Sequence, residues 1–184
     1  IDKKIIWHVS SNRCNSAVTE YALSSIRALE KRGFDNIFSP LKGSPAEERA
    51  RLYGLRCLPL RNFHLSSLLS FCSLGSRLRP SYIISYGGPE TFLSKMLRKK
   101  TKKLIRFRGQ GVTATNEKYK GFLRYSYNHL DSVIVPGKNL HSALEKIDCH
   151  DHIKSIPLGI DTDFFSPSGN WVPPLKSQHR PEVL

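Results

Sequence analysis

The stretch "IPLGIDTDFFSP", residues 156–167, decides how the rest of this sequence is read. A strand-like entry runs into Pro-Leu-Gly-Ile-Asp, then into two aromatics and a proline. A hairpin would place its partner strand next. The next segment is instead the polar, proline-broken "SPSGNWVPPLKSQHRPEVL" (166–184). The stretch therefore reads as the exit from one domain, residues 1–167, toward a second. Residues 168–184 are then a linker or the start of that second domain. The chain begins at Ile1 and its one methionine is Met96, so it is expected to be a piece of a longer protein.

Working back from that exit, short apolar runs alternate with helical patterns. "KKIIWHVS" (3–10), "NIFSP" (36–40), "LRCLPL" (55–60), "SYIISY" (81–86), "KLIRFR" (103–108), "SVIVP" (132–136) and "HIKSIP" (152–157) are the predicted strands. Between the first two, Val18, Ala22, Ile26 and Leu29 recur at helical spacing and Gly33 stops the helix. In "SPAEERARLYG" (44–54), Ser44 caps, Pro45 takes the first helical position, Glu47 completes a capping box and Gly54 ends the helix. Helices are also predicted over 64–78, from Pro89 to about Lys99, near 117–130 and over 138–147. Such alternation implies parallel βαβ units. The fold class is α/β, an open, mostly parallel Rossmann-like sheet of about seven strands with helices on both faces.

The hydrophobic content of 39% supports a sizeable core. No apolar run approaches the ~20 residues that span a bilayer. Cys14, Cys57, Cys72 and Cys149 lie far apart with no C-x-x-C, so they read as thiols in a reducing cytosol, and no metal site is predicted; Cys149-His150-Asp151-His152 comes nearest to one. Net charge is more informative: 29 basic against 15 acidic residues gives +14. "KMLRKKTKKLIRFR" (95–108) contains no acid, and its Lys95, Arg98, Lys99, Lys100, Lys102 and Lys103 form a candidate surface for an anionic membrane. A nucleic-acid partner would also suit the charge, but it calls for aromatics interleaved with the basic face, and the aromatics near 119–127 read better as core.

Ligands of an open parallel sheet bind beyond the carboxyl ends of its strands. "SSNRCNS" (10–16), "YGGPE" (86–90), "RGQG" (108–111) and "LGID" (158–161) all come after predicted strands there. Candidate substrate contacts are Ser11, Asn12, Arg13, Gly88, Glu90, Arg108 and Gly109; Asn12 and Arg13 could equally finish a helix N-terminus. No G-x-G-x-x-G comes after the first strand, and no P-loop or G-x-S-x-G elbow occurs, which argues against dinucleotide, P-loop NTPase and hydrolase chemistry.

"HLDSVIVPGKNLHSALEKI" (129–147) together with "HIKSIPLGIDTDFFSP" (152–167) resembles the closing part of the N-terminal domain of retaining GT-B glycosyltransferases of the group 1, family 4 type. Asp131, Val133, Val135, Leu140, Leu144, Ile153, Ile156, Pro157, Gly159, Asp161, Thr162, Phe165 and Pro167 carry the likeness, and "LEKRGF" (29–34) extends it weakly. The resemblance implies one half of a two-domain enzyme. This half would take a glycan or lipid-linked acceptor, in cell-envelope polysaccharide or lipopolysaccharide synthesis. The other half would bind a nucleotide-diphosphate sugar and carry the catalytic groups, leaving this chain alone inactive. It implies no cofactor, no nucleic-acid partner, and a cytoplasmic location, peripheral at the inner face of the plasma membrane. Two departures stand out. Ser10-Ser11-Asn12-Arg13 replaces the family's common Gly-Gly, and Arg108-Gly109 falls where the family often has a histidine. Either Arg108 meets a charged group, or the register is offset by one or two residues. The alternatives from other classes are a basic nucleic-acid-binding module and a non-catalytic partner-binding domain.

Overall fold

Ile5–Ser10 (β1) lies inside the sheet with a parallel neighbour on each side. Its sequence IIWHVS is β-branched and aromatic, and all but Ile5 is buried, as befits a strand covered on both faces. In this computed structural model the described residues are 4–109, 125, 127, 129–146, 152–157 and 159. The other strands are Asp35–Pro40 (β2), Tyr82–Ser85 (β3), Lys103–Phe107 (β4), Ser132–Val135 (β5) and Ile153–Ser155 (β6). The helices are Ala17–Lys31 (α1), Pro45–Leu52 (α2), Leu68–Leu78 (α3), Gly88–Lys95 (α4) and Lys138–Glu145 (α5). Short 3-10 turns at Leu65–Ser67 and Arg98–Lys100 precede α3 and β4. The predicted helix near 117–130 and most of 156–184 fall outside the described residues.

Among the described residues the sheet is all-parallel in the order β2-β1-β3-β4-β5-β6, six strands where about seven were expected. Residues 55–60 account for the difference. They run beside β2, with Phe38 N donating to Arg56 O, Leu58 N to Phe38 O, Leu60 N to Pro40 O and Lys42 N to Leu60 O. The alternation calls for one more rung, from residue 40 to Leu58 O. Pro40 has no N–H, so the ladder breaks into two isolated bridges.

Local capping agrees with the sequence with one change. Ser16 Oγ accepts from Thr19 N to open α1, and Gly33 closes it at φ +83°. Ser44 Oγ accepts from Glu47 N, but Glu47 Oε2 accepts from Gly43 N at 2.7 Å and not from Ser44 N. The Ser44 N–H already donates to Leu41 O, so the carboxylate serves the residue before it. The helix expected to reach Lys99 stops at Lys95 and tightens into the Arg98–Lys100 turn.

Two cores result, one per sheet face. Trp7, Val9, Ile37, Ile83, Leu104, Val133 and Val135 pack with Phe71 of α3, Leu93 of α4 and Leu144 of α5. Phe38, Phe107 and Tyr86 pack with Ala22, Leu23 and Ile26 of α1 and Ala46 and Ala50 of α2. Trp7 stacks on Phe71 at 4.7 Å between ring centroids, and its indole N–H donates to Ser39 Oγ at 2.8 Å. A fully buried aromatic of this kind contributes about 2–3 kcal/mol through area alone.

Candidate functional site

After β1 the chain moves to β2 on one side and then returns to β3 on the other, so the strand order reverses between β1 and β3. The crevice beyond their carboxyl ends is the expected ligand position. The loops after β1, β3 and β4 meet there, bringing Ser11, Asn12, Gly88, Glu90, Arg108 and Gly109 to one edge of three adjacent strands.

Ser11 and Glu90 touch directly: Ser11 N donates to Glu90 Oε1 at 3.0 Å. Glu90 lies in the first turn of α4 yet is 0% exposed, and its Oε2 has no hydrogen-bond partner. Burial pushes its pKa up, while the Ser11 hydroxyl and N–H, its own backbone N–H and the Arg106 guanidinium pull it partly back. The carboxylate folds against Gly87, where an added Cβ would lie 2.6 Å from Oε1. A side chain at that position would force the Glu90 carboxylate to move.

Asn12 serves the helix. Its Nδ2 donates to Ser16 Oγ at 3.2 Å and Thr19 Oγ1 at 3.3 Å, completing the entry to α1. Arg13 is exposed beside it. Gly88 is the exposed first residue of α4, whose N-cap, Gly87, supplies no side-chain bond. Arg108 is buried, donates from its guanidinium to the Tyr127 hydroxyl and lies 5.7 Å from that ring's centroid. Gly109 packs so closely that a Cβ would come within 2.7 Å of Val18 Cγ2. It lines a cleft of about 380 Å³ with Pro136, Gly137, Asn139, Leu140 and Ala143.

Arg106 is a residue that sequence reasoning passed over. It donates to Gly87 O and Thr91 Oγ1 and sits over the same Tyr127 ring, with its Nε buried and unpartnered. The signal was present: residues two apart on a strand share a face, so Arg106 and Arg108 belong together. The edge thus offers backbone N–H groups at two helix N-termini lacking side-chain caps, α4 and α5, beside an apolar-walled cleft. That chemistry suits a polar, oxygen-rich ligand.

The basic residues lie elsewhere. Lys95, Arg98, Lys99, Lys100, Lys102 and Lys103 run from the end of α4 to the start of β4, at the opposite edge of the sheet from the crevice. Arg98 pairs with Asp131 at 2.8 Å, Lys95 Nζ donates to Tyr125 O at 3.3 Å, and Lys100 Nζ donates to Ser76 Oγ at 2.7 Å. Burial lowers the Lys95 pKa. Lys99, Lys102 and Lys103 are exposed. Among the described residues, no group of three or more His, Cys, Asp or Glu could hold a metal, and no helix is long and apolar enough to cross a membrane. Cys14, Cys57 and Cys72 are free thiols, and burial pushes Cys57 up to about 11.

No family model and no curated protein matches this chain. Solved structures do. A glycosyltransferase from Rickettsia africae ESF-5 is similar with a TM-score of 0.74 at 17% identity, over 94% of this chain and 47% of that one. Anabaena Alr3699/HepE, in complex with UDP and glucose, is similar with a TM-score of 0.70 at 10% identity, over 90% and 47%. The lipopolysaccharide outer core galactosyltransferase WaaB is similar with a TM-score of 0.61 at 10% identity, over 84% and 45%. The chain spans about half the length of each. Its fold is that of one Rossmann-like half of the GT-B glycosyltransferases.

Proposed function

We propose that this chain is the acceptor-side half of a retaining glycosyltransferase. The parent would move a sugar from a nucleotide-diphosphate donor to a glycan or lipid-linked acceptor of the cell envelope, working at the cytoplasmic face of the plasma membrane. The observation that carries the reading is the likeness of 94% of this chain to 47% of a solved glycosyltransferase, with a crevice at the strand-order reversal. Donor chemistry is supported by HepE, whose solved structures contain UDP and UDP-glucose.

In this reading the crevice bounded by Ser11, Gly88 and Gly109 holds the acceptor. Glu90 and Arg106 serve it indirectly, by fixing the loops that form its walls. Stabilising the departing diphosphate is the main electrostatic task of such a transfer, and it falls to the other half of the parent. The test is an assay of the full-length parent beside residues 1–184, with a panel of nucleotide sugars and membrane-extracted acceptors. Turnover by the parent and none by the 184-residue chain supports the reading. No turnover by the parent with any donor sinks it.

A further inference from the structure

Beyond the carboxyl ends of β4 and β5 the sheet carries a second opening, one strand further along than the crevice. Phe107 of β4 pairs with Ile134 of β5, and Arg108 N donates to Ile134 O, so the two strands release their chains side by side. Gly109 follows the first and Pro136-Gly137 the second, and with Asn139, Leu140 and Ala143 of α5 they line the cleft of about 380 Å³. Gly109 is pressed against α1, where a Cβ would come within 2.7 Å of Val18 Cγ2, so only bare backbone separates this cleft from the crevice. At Gly137 an added Cβ would meet nothing within 4 Å, and the entrance stands open.

The lining is apolar. None of its six residues carries a charge, and Asn139 alone has a polar side chain. A hexose brings about five hydroxyl groups, each both donor and acceptor. These walls would pair few of them, and a hydroxyl taken from water without a partner costs free energy. A hydrocarbon chain needs no partner and gains by leaving water. Size agrees with that chemistry. Ligand pockets run to roughly 300–1,000 Å³, so this cleft takes one part of a molecule whose remainder lies elsewhere. The adjoining crevice, with the uncapped N–H groups of α4, is the place for a polar remainder.

We infer that the cleft between Gly109 and α5 takes the hydrocarbon chain of a lipid-linked acceptor, with Pro136, Leu140 and Ala143 as its walls, while the acceptor sugar occupies the crevice. The inference rests on the proposed function and decides between the two acceptor classes named there, a free glycan and a lipid-linked one. It also gives Gly109 a part: its missing side chain lets one molecule pass along the backbone from crevice to cleft.

The test is an NMR titration of the isotope-labelled 184-residue chain with glucose, hexyl glucoside, octyl glucoside and geranyl glucoside, each below micelle formation. The amides of Gly109, Gly137 and Ala143 should shift with the three glucosides and stay in place with glucose. Octyl glucoside should bind about tenfold tighter than hexyl, since two more methylenes leave water. The tighter of octyl and geranyl glucoside then tells an acyl from an isoprenoid chain. Ala143→Leu fills the cleft from a half-buried helix position and should weaken octyl glucoside about tenfold, and Leu140→Gln about fivefold. The unmoved remainder of each variant's spectrum shows that it folds. Leu69→Gln, at a leucine 84% exposed on α3, should leave the shifts at Gly109 and Gly137 unchanged. Shifts confined to residues outside the cleft overturn the inference, as do equal affinities for hexyl and octyl glucoside or full binding by Ala143→Leu and Leu140→Gln. Shifts at Gly109 and Gly137 with maltotriose but not with octyl glucoside assign the cleft to glycan and overturn it equally. No readout depends on turnover, so this failure is separable from failure of sugar transfer by the parent.

Discussion

The Ser11 N–H donates to Glu90 Oε1 across 3.0 Å, and that bond ties the loop after β1 to the first turn of α4. It spans the reversal point of the sheet, so it fixes the width of the crevice. Glu90→Ala leaves the partly buried Ser11 N–H without its acceptor and should cost about 1–3 kcal/mol in urea unfolding. Glu90→Gln keeps an acceptor and removes the charge. Because burial raises the folded pKa of Glu90, its folded state holds a proton more tightly than its unfolded state. Its stabilising contribution is therefore present at acid pH and lost as pH rises through the folded pKa. The stability of Glu90→Gln relative to wild type should accordingly improve from pH 4 to pH 7; a constant difference would refute the account.

His8 should behave in the opposite sense. Asn36 Nδ2 donates to Phe34 O, which turns Asn36 Oδ1 toward His8 Nε2 at 3.1 Å, and Tyr86 Oη meets Nδ1 at 2.9 Å. This arrangement suits a neutral ring with the proton on Nε2. Burial lowers the pKa to about 4 from 6.5, against a weaker pull from Asn36. A depressed histidine contributes stability that is complete above about 6.5 and disappears as pH falls toward 4, amounting to about 3 kcal/mol. Titration of the His8 ring by NMR should show it neutral at pH 5. A midpoint near 6.5 would be inconsistent with this burial.

Gly75 tests how closely α3 approaches its neighbours. Alanine there gains up to about 1 kcal/mol of helix propensity but puts a methyl 2.3 Å from Leu97 Cδ1 and 3.2 Å from Trp7 Cζ3. The Trp7 indole, also tight against the new methyl, limits how far α3 can shift to relieve the clash. Overpacking of about 1–3 kcal/mol should win, making Gly75→Ala destabilising. Adding Leu97→Ala should recover part of the loss, and purely additive effects in a double-mutant cycle would show that the two do not compete.

Asp131 and Arg98 form an ion pair whose partners should prove unequal. Asp131 Oδ2 accepts from Leu104 N at 2.7 Å, anchoring the start of β4, while Oδ1 accepts from Arg98 at 2.8 Å. Arg98 is half exposed, and its removal should cost about 0.5 kcal/mol. Asp131→Ala strips an acceptor from a partly buried backbone N–H and should cost about 1–3 kcal/mol. Equal losses would mean that the ion pair, not the backbone bond, is what matters.

Much of this could be read in the sequence because local chemistry and fold agree. The β-branched runs become strands, and Ser44-Pro45 and Gly54 bound a helix as their conformational preferences demand. The features that escaped were set by distant partners. The broken ladder at 55–60 depends on a proline in the neighbouring strand. Glu90 reads as an ordinary acid in a first helical turn, and its burial depends on a loop 79 residues earlier. Arg108 reads as a ligand contact, and the bond from its guanidinium to the Tyr127 hydroxyl depends on a residue 19 positions later. The separation of the basic run from the crevice was legible in principle, since Lys99–Lys103 precede a strand whose far end carries Arg108 and Gly109.

The proline that breaks the inner ladder has a counterpart facing outward. Leu58 and Leu60 direct their N–H groups at β2, so Cys57 and Pro59 turn theirs away from the sheet. Pro59 has none to offer, and the Leu55 N–H is already given to Ala50 O. A stray strand approaching this margin would find one donor, at Cys57, where extension requires one at every second residue. Its main-chain donors thereby leave little for recruiting another chain into a growing fibril.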